Sequence, residues 1–557
     1  MPVSGQTGAR PAAIAAAVLA TALAASCMSY PATPADDYVG PVRRPAPEAP
    51  AAAAPAPRAE APPAAPTAVP PPPADAPAPA PEPVRVTVTG AILMAVEHNQ
   101  SLAIERLNPD ILRTFEAQQR AVFDPDLTAR YTYQRNRTRG LPGGTDLAQA
   151  DSARVGLQQF LPTGTQVDVA ASTDVDRGLF SGKDFFASRV GLTVTQALLR
   201  GFGLDVNLAS LRQARVDTLS SQYELRGFAE SLVAETERAY WDYVLAHRKI
   251  EIFTESLNLA EQQLAETLER IRVGKLADIE RAAAEAEVAL RRDELITARG
   301  ALVEARLRLL RLLNPAEPDF WARDVVAETP PVVPDVDLEV PANHVALALR
   351  MRPDLNQARL AVQRDDLELV RTRNGLLPRM DLFMSLGRTG YADSFGGSWR
   401  DLDGKGYDFL AGVDAQYPPL NRDAGARHRR AQLGRQQALE SVANLAQLVE
   451  VDVRTAHVRY STTRQRVTAT AATRRFQEEK MRAETEKFRA GKSTPLLVAQ
   501  AQRDLLASQI AEVEAVIANL ETLVEFYRLE GTLLERRGLG APGREPVELR
   551  SADVRLP

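Results

Sequence analysis

Cysteine is almost missing. Cys27 is the only one in 557 residues, so no internal disulfide can hold the fold. Histidine is scarce as well. His98, His247, His344, His428 and His457 are scattered and match no metal-ligand spacing. Beyond residue 30 there is no apolar run of 18 residues or more, which argues against helical membrane spans. It does not exclude a β-barrel, whose strands each carry only about ten alternating residues. Neither sign of charge dominates: a net charge of −5 offers no basic field for nucleic acid. A nucleophile–base constellation, a phosphate loop and a metal cluster are all lacking. Gly201-Phe202-Gly203 follows a strand pattern but lacks the rest of a dinucleotide fingerprint. These absences argue against an enzyme, and no cofactor is expected.

What is present begins with an export signal. Arg10 supplies a positive charge and Pro11 to Ala25 an apolar stretch of signal length, so residues 1–27 read as a signal peptide. Leu23-Ala24-Ala25-Ser26-Cys27 resembles a bacterial lipobox, although Ala24 stands where the usual leucine sits. Two outcomes follow. Either Cys27 becomes a lipidated mature N-terminus, tethered at about 0.8 kcal/mol per buried CH₂, or an ordinary peptidase cuts after small residues and Cys27 is a bystander. The position of the only cysteine favours lipidation. Residues 31–84 then hold 19 of the chain's 39 prolines, mixed with alanine. Such a segment cannot build a core, and residues 28–84 are expected to be a disordered, extended spacer.

The body is an internal duplication. Ala95, Leu102 and Pro125 align with Ala348, Leu355 and Pro378, all offset by 253. Gln196 matches Gln416 at an offset of 220, and "RVGK" from Arg272 matches "RAGK" from Arg489 at 217. Constant offsets over separated landmarks argue for two repeats, here 85–330 and 331–535, with 536–557 as a flexible tail. The drop between offsets puts 33 extra residues in the first repeat, enough for one more hairpin turning at Leu161 to Thr165. That predicts four strands in the first repeat and two in the second, unless the hairpin folds outside the sheet.

Within each repeat the pattern reads helix, strands, very long helix, turn, shorter helix. Leu127, Ala129, Tyr131 and Tyr133 alternate with Thr128, Arg130, Thr132 and Gln134. Such alternation suits a barrel wall or a half-buried sheet of a soluble domain equally. If a barrel, Tyr131, Tyr133, Leu157, Val169, Leu192, Leu382 and Val413 should face lipid. Gly203 to Arg272 contains no proline and would span roughly 100 Å as a helix. Asn421 to Arg489 repeats it. The return helices carry heptads, Val288, Leu295, Leu302 and Leu309 in one and Leu506, Val513, Leu520 and Tyr527 in the other, as coiled coils require.

Strands and long coiled-coil hairpins in duplicate, with "FDP" at Phe123, "QALLRGFG" at Gln196 and "PLNRDAGARHRRAQ" at Pro419, resemble the TolC-like outer-membrane efflux protein family over about residues 85–535. The resemblance implies an α+β membrane protein in which three copies form one outer-membrane β-barrel and a periplasmic α-helical tunnel. It implies a homotrimer in the cell outer membrane of a Gram-negative bacterium, in contact with outer-membrane lipid, working with a periplasmic adaptor protein and an inner-membrane pump, and passive in itself. It assigns the hairpin tips, Arg272, Gly274, Lys275, Arg489, Gly491 and Lys492, to adaptor docking. Their basic residues also suit mere solvated helix ends. The family often places an aspartate nine residues after the second tip glycine. Here that position is Gln500, with Leu496 and Leu497 nearby, so the periplasmic entrance is expected to close on apolar and amide groups. The competing readings are a periplasmic adaptor lipoprotein, which usually has a single hairpin, and an enzyme with helical inserts.

Overall fold

A computed structural model of the chain describes residues 83–139, 145–177, 184–314 and 320–549. The signal, Cys27 and the proline-rich spacer up to residue 82 lie outside them, and Val84, expected to end the spacer, opens the first strand. The first repeat runs β1 (Val84–Val86), α1 (Val88–His98), α2 (Gln100–Glu105), α3 (Asn108–Ala121), β2 (Asp126–Arg139), β3 (Thr145–Leu161), β4 (Thr165–Arg177), β5 (Asp184–Ala197), α4 (Leu204–Asn207), α5 (Ala209–Arg272) and α6 (Ile279–Leu313). The second runs β6 (Val325–Ala327), α7 (Pro341–Met351), α8 (Pro353–Gly375), β7 (Arg379–Ala392), α9 (Phe395–Arg400), β8 (Tyr407–Gln416), α10 (Arg422–Arg489), α11 (Pro495–Glu530) and α12 (Leu533–Arg536).

Local chemistry sets the boundaries. Thr87 caps α1 by accepting from the Gly90 N–H, and Asn99 caps α2 by accepting from Ser101 and Leu102. Prolines open α7, α8 and α11, where the missing N–H costs nothing. Asn314 ends α6 and Gly531 ends α11, both left-handed and 217 residues apart. The duplication therefore reaches down to single backbone conformations.

Six strands make one antiparallel sheet in the order β2-β3-β4-β5-β7-β8, four from the first repeat and two from the second. The extra hairpin, β3–β4, is inside the sheet. A second, parallel pair joins β1 to β6 and so ties the start of the first repeat to the start of the second.

The long helices fold back as hairpins, α5 with α6 and α10 with α11. The seam is the heptad stripe: Val288, Leu295, Ala298, Ala305 and Leu309 are buried in α6, and Leu506, Leu520, Leu523 and Tyr527 in α11. The core lies where α1, α5, α7, α10 and α11 meet, around Val233, Ala348, Val453 and Phe526, and continues to Tyr240, Trp241, Leu309 and Leu313. The tail expected to be flexible makes specific contacts as far as Glu548. The Val547 N–H donates to Asn356, and the Val547 and Glu548 carbonyls accept from Arg359 and Gln363.

Candidate functional site: a two-faced wall and two helical tips

Strand register sorts the side chains of the sheet into rows. One row crosses all six strands as Leu127, Leu157, Val169, Leu192, Leu386 and Phe409. Every member is apolar, and every one is at least 40% exposed in the single chain. The next row, on the opposite face, reads Thr128, Gly156, Ala170, Gly191, Gly387 and Asp408. A Cβ at Gly387 would stand 2.7 Å from the Asp408 carboxylate and 2.9 Å from Arg189, and one at Gly412 would stand 2.6 Å from the Phe383 ring. That face is therefore crowded as well as polar. It carries the ion pairs Arg154–Asp168 and Arg189–Asp408 and the Thr193–Ser385 hydrogen bond. The seven residues expected to face lipid all lie on the apolar face, Leu382 directly opposite Val413. A lipid-facing exterior and a watery, crowded interior would sort in this way. In one chain both edges, β2 and β8, stay open, and open edges cannot stand in a membrane.

The tips are built alike. Gly274 and Gly491 adopt φ of 75° and 71°. The Lys275 N–H donates to the Arg270 carbonyl and the Lys492 N–H to the Lys487 carbonyl, each 2.8 Å. This six-residue closure terminates a helix with glycine in the left-handed region, where other residues are strained. Arg272 pairs with Glu269 and Arg489 with Glu486. The Arg272 bond holds the Glu269 carboxyl below its usual range. Among the described residues, Lys275 and Lys492 have no acidic partner. The two tips also touch, which the motifs did not foretell: the Arg270 guanidinium lies 4.2 Å over the Phe488 ring and bonds the Phe488 carbonyl. Leu496, Leu497 and Gln500 sit at the start of α11, all exposed in the single chain. Leu496 borders a cavity of about 280 Å³ between α5, α6 and α11.

Midway along the helices lies a buried charge cluster that sequence reasoning missed. Arg226, 1% exposed, bonds Glu230 at 3.1 Å, the Gly531 carbonyl at 3.3 Å and Glu535 at 2.5 Å. Burial pushes the Glu230 carboxyl up to about 7, against the opposing pull of Arg226. Eleven residues along α5 from Arg226, Glu237 accepts from Nε and Nη2 of Arg537, each at 2.6 Å, and burial raises its carboxyl too. The cluster clamps the α11–α12 junction onto α5. Its only sequence trace was charge on an otherwise apolar helix face.

Residues 345–532 match the outer membrane efflux protein family. No curated protein sequence matches the chain. Solved structures share the fold at low identity. A membrane protein from Pseudomonas aeruginosa is 20% identical with a TM-score of 0.62, covering 80% of this chain and 93% of its own. The Campylobacter jejuni CmeC outer membrane channel is 14% identical with a TM-score of 0.62, covering 80% and 86%. The open state of the Neisseria gonorrhoeae MtrE outer membrane channel is 21% identical with a TM-score of 0.59, covering 80% and 89%. Its second repeat thus matches the outer membrane efflux protein family, and its sheet and hairpins share the fold of these outer-membrane channels.

Proposed function

We propose that the chain is the exit duct of a tripartite efflux or secretion system, a passive conduit through the outer membrane, and that no catalytic step belongs to it. The carrying observation is the two-faced sheet with open edges, continuous with two helical hairpins. Successive strands alternate in direction and their number is even, so β8 of one copy lies antiparallel to β2 of the next. Three copies bring 18 strands and close the wall, as the bilayer demands. The duct works as a homotrimer that extends into the periplasm and meets an adaptor and an inner-membrane pump. The adaptor reading is weaker, because two equivalent hairpins and a membrane-type sheet are more than an adaptor needs.

The Arg-x-Gly-Lys turns serve as docking points, two per copy. Their support is the matched backbone geometry and two lysines without an acidic partner among the described residues. Leu496, Leu497 and Gln500 stand at the entrance, within a few residues of the second tip. Cys27 carries the lipid anchor. To test the tips, Gly274→Trp and Gly491→Trp are expressed in cells lacking the native duct. Trimer level, crosslinking to the adaptor and export are then measured together. Normal trimer with crosslinking and export lost is the expected result; intact crosslinking and export would remove the docking role. For the anchor, Cys27→Ala should leave unprocessed precursor without acyl label. A wild-type protein that is processed yet unlabelled would refute lipidation.

A further inference from the structure

The apolar face of the sheet has a polar notch near one end. At the end of β4, β5 and β7 far from the helices, Thr173, Ser188 and Gly390 form a row on that face, in line with Tyr131 and Ala153. Thr173 and Ser188 are 6% and 0% exposed although they lie on the outer surface. What covers them is the crossover between β7 and β8. The Ser188 hydroxyl bonds Thr173 at 2.9 Å and Ser398 of α9 at 2.7 Å, and the Trp399 indole N–H donates to Thr173 at 3.2 Å. A Cβ at Gly390 would come within 2.2 Å of the Ser398 carbonyl, so the glycine lets the backbones meet. Arg388 bonds the Leu402 carbonyl, and the Tyr391 N–H donates to Asp401, which pins the rest of the crossover to the same edge. The crossover thus lies on the outside of the wall and not across its lumen.

Its outward side is aromatic. Phe395 and Trp399 sit 6.2 Å apart, centroid to centroid, and both are more than a third exposed. The indole has its N–H satisfied and its ring partly exposed beside Phe395, the arrangement that favours the boundary between headgroups and acyl chains. We infer that residues 393–406 form a membrane-interface element, with Phe395 and Trp399 seated in the outer leaflet of the bilayer at headgroup depth. The reading rests on the sheet being a membrane barrel. It accounts for two features that reading leaves aside, hydroxyls on a lipid-facing surface and an aromatic pair exposed above them. The bonds within the notch satisfy the hydroxyls, which hydrocarbon alone could not.

The test uses the trimer reconstituted into phospholipid vesicles carrying a doxyl quencher either near the headgroup or near the acyl end. Trp241 and Trp321 are common to all variants, so the signal of Trp399 is the difference between wild type and Trp399→Phe. Leu157→Trp in the Trp399→Phe background reports on mid-wall. The expected result is loss of the Trp399 component with the headgroup-level quencher, little loss with the deep one, and the reverse for the residue 157 indole. If the residue 157 indole is quenched by lipid but Trp399 answers only to aqueous iodide, the interface element is wrong and the barrel stands. If neither indole is quenched by lipid, the barrel reading falls and the inference with it.

Discussion

The two long helices began as copies and now live differently. In α5, 22 of 64 residues are buried; in α10, five of 68 are. Four of those five, Val449, Val453, Ala456 and Tyr460, lie 217 residues after buried positions of α5: Leu232, Thr236, Ala239 and Tyr243. The matched tyrosines also both donate to backbone carbonyls of the stretch between the two long hairpins. Tyr243 donates to the Val325 carbonyl and Tyr460 to the Val336 carbonyl. What α10 lacks is the rest of the cover. Trp241 is buried, while its counterpart Val458 is 60% exposed; Ala234 is buried, while Val451 is 59% exposed. Along α10, Leu433, Leu448 and Phe476 are uncovered as well. One copy of the helix builds the protomer. The other keeps only the shared contacts and leaves apolar side chains uncovered in the single chain, where the proposed trimer would place a neighbouring subunit.

The strongest way to break this contrast is to strike the matched pair. Trp241→Ala should destabilise the protomer by about 3–5 kcal/mol, the usual cost of deleting a buried aromatic. Val451→Glu with Val458→Glu should leave the helical signal and protomer fold intact yet abolish the trimer. Circular dichroism melts and crosslinked trimer yield separate the two outcomes. A charged double variant that trimerises normally would show that α10 is not covered by its neighbour.

The two faces of the sheet make a second contrast. Leu157→Arg, in the apolar row, should cost about 2–4 kcal/mol in a bilayer, and Thr132→Arg, on the opposite face, far less. Unfolding in vesicles measures both, and equal tolerance would argue for a soluble sheet.

Third comes the buried charge in α5, which α10 does not repeat, since Gln447 stands where Glu230 does. The folded Glu230 carboxyl titrates near 7, above its unfolded value near 4.5. The folded state therefore binds this proton more tightly, and stability is lost as pH rises through that window. Glu230→Gln removes the loss, so its advantage over wild type should grow from pH 5 to pH 8, toward about 2–3 kcal/mol by linkage. Melting temperatures of the two proteins across that range check the sign. A constant difference would mean that Arg226 keeps Glu230 ionised throughout.

Smallest and most symmetric are the tips. Gly274→Ala and Gly491→Ala should each cost roughly 1 kcal/mol, because alanine is strained at a positive φ. Arg272→Ala and Arg489→Ala should change stability immeasurably, as solvent-exposed ion pairs do. A marked difference between matched tip variants, read by urea unfolding, would show that the repeats have diverged here too.

Much of this was written locally in the chain. Period-two alternation placed Tyr131, Leu157, Val169 and Val413 on one face, because successive side chains of a strand must point to opposite sides. Proline-free runs of some 70 residues specified the long helices, and heptads specified which stripe packs. Gly274 and Gly491 marked the turns, since only glycine accepts that conformation freely. The offsets counted four strands and two. Tertiary structure decided the rest. It set β5 beside β7, joining both repeats in one sheet across nearly two hundred residues of intervening chain. It clamped Arg226 between Glu230 and Glu535, stacked Arg270 on Phe488, and laid the β7–β8 crossover over Thr173 and Ser188. Periodicity tells a residue which way to point along its own element. What stands opposite, whether core, neighbour or lipid, is settled only when distant segments meet, and that is why two helices of matching length and place in the repeat are buried so unequally.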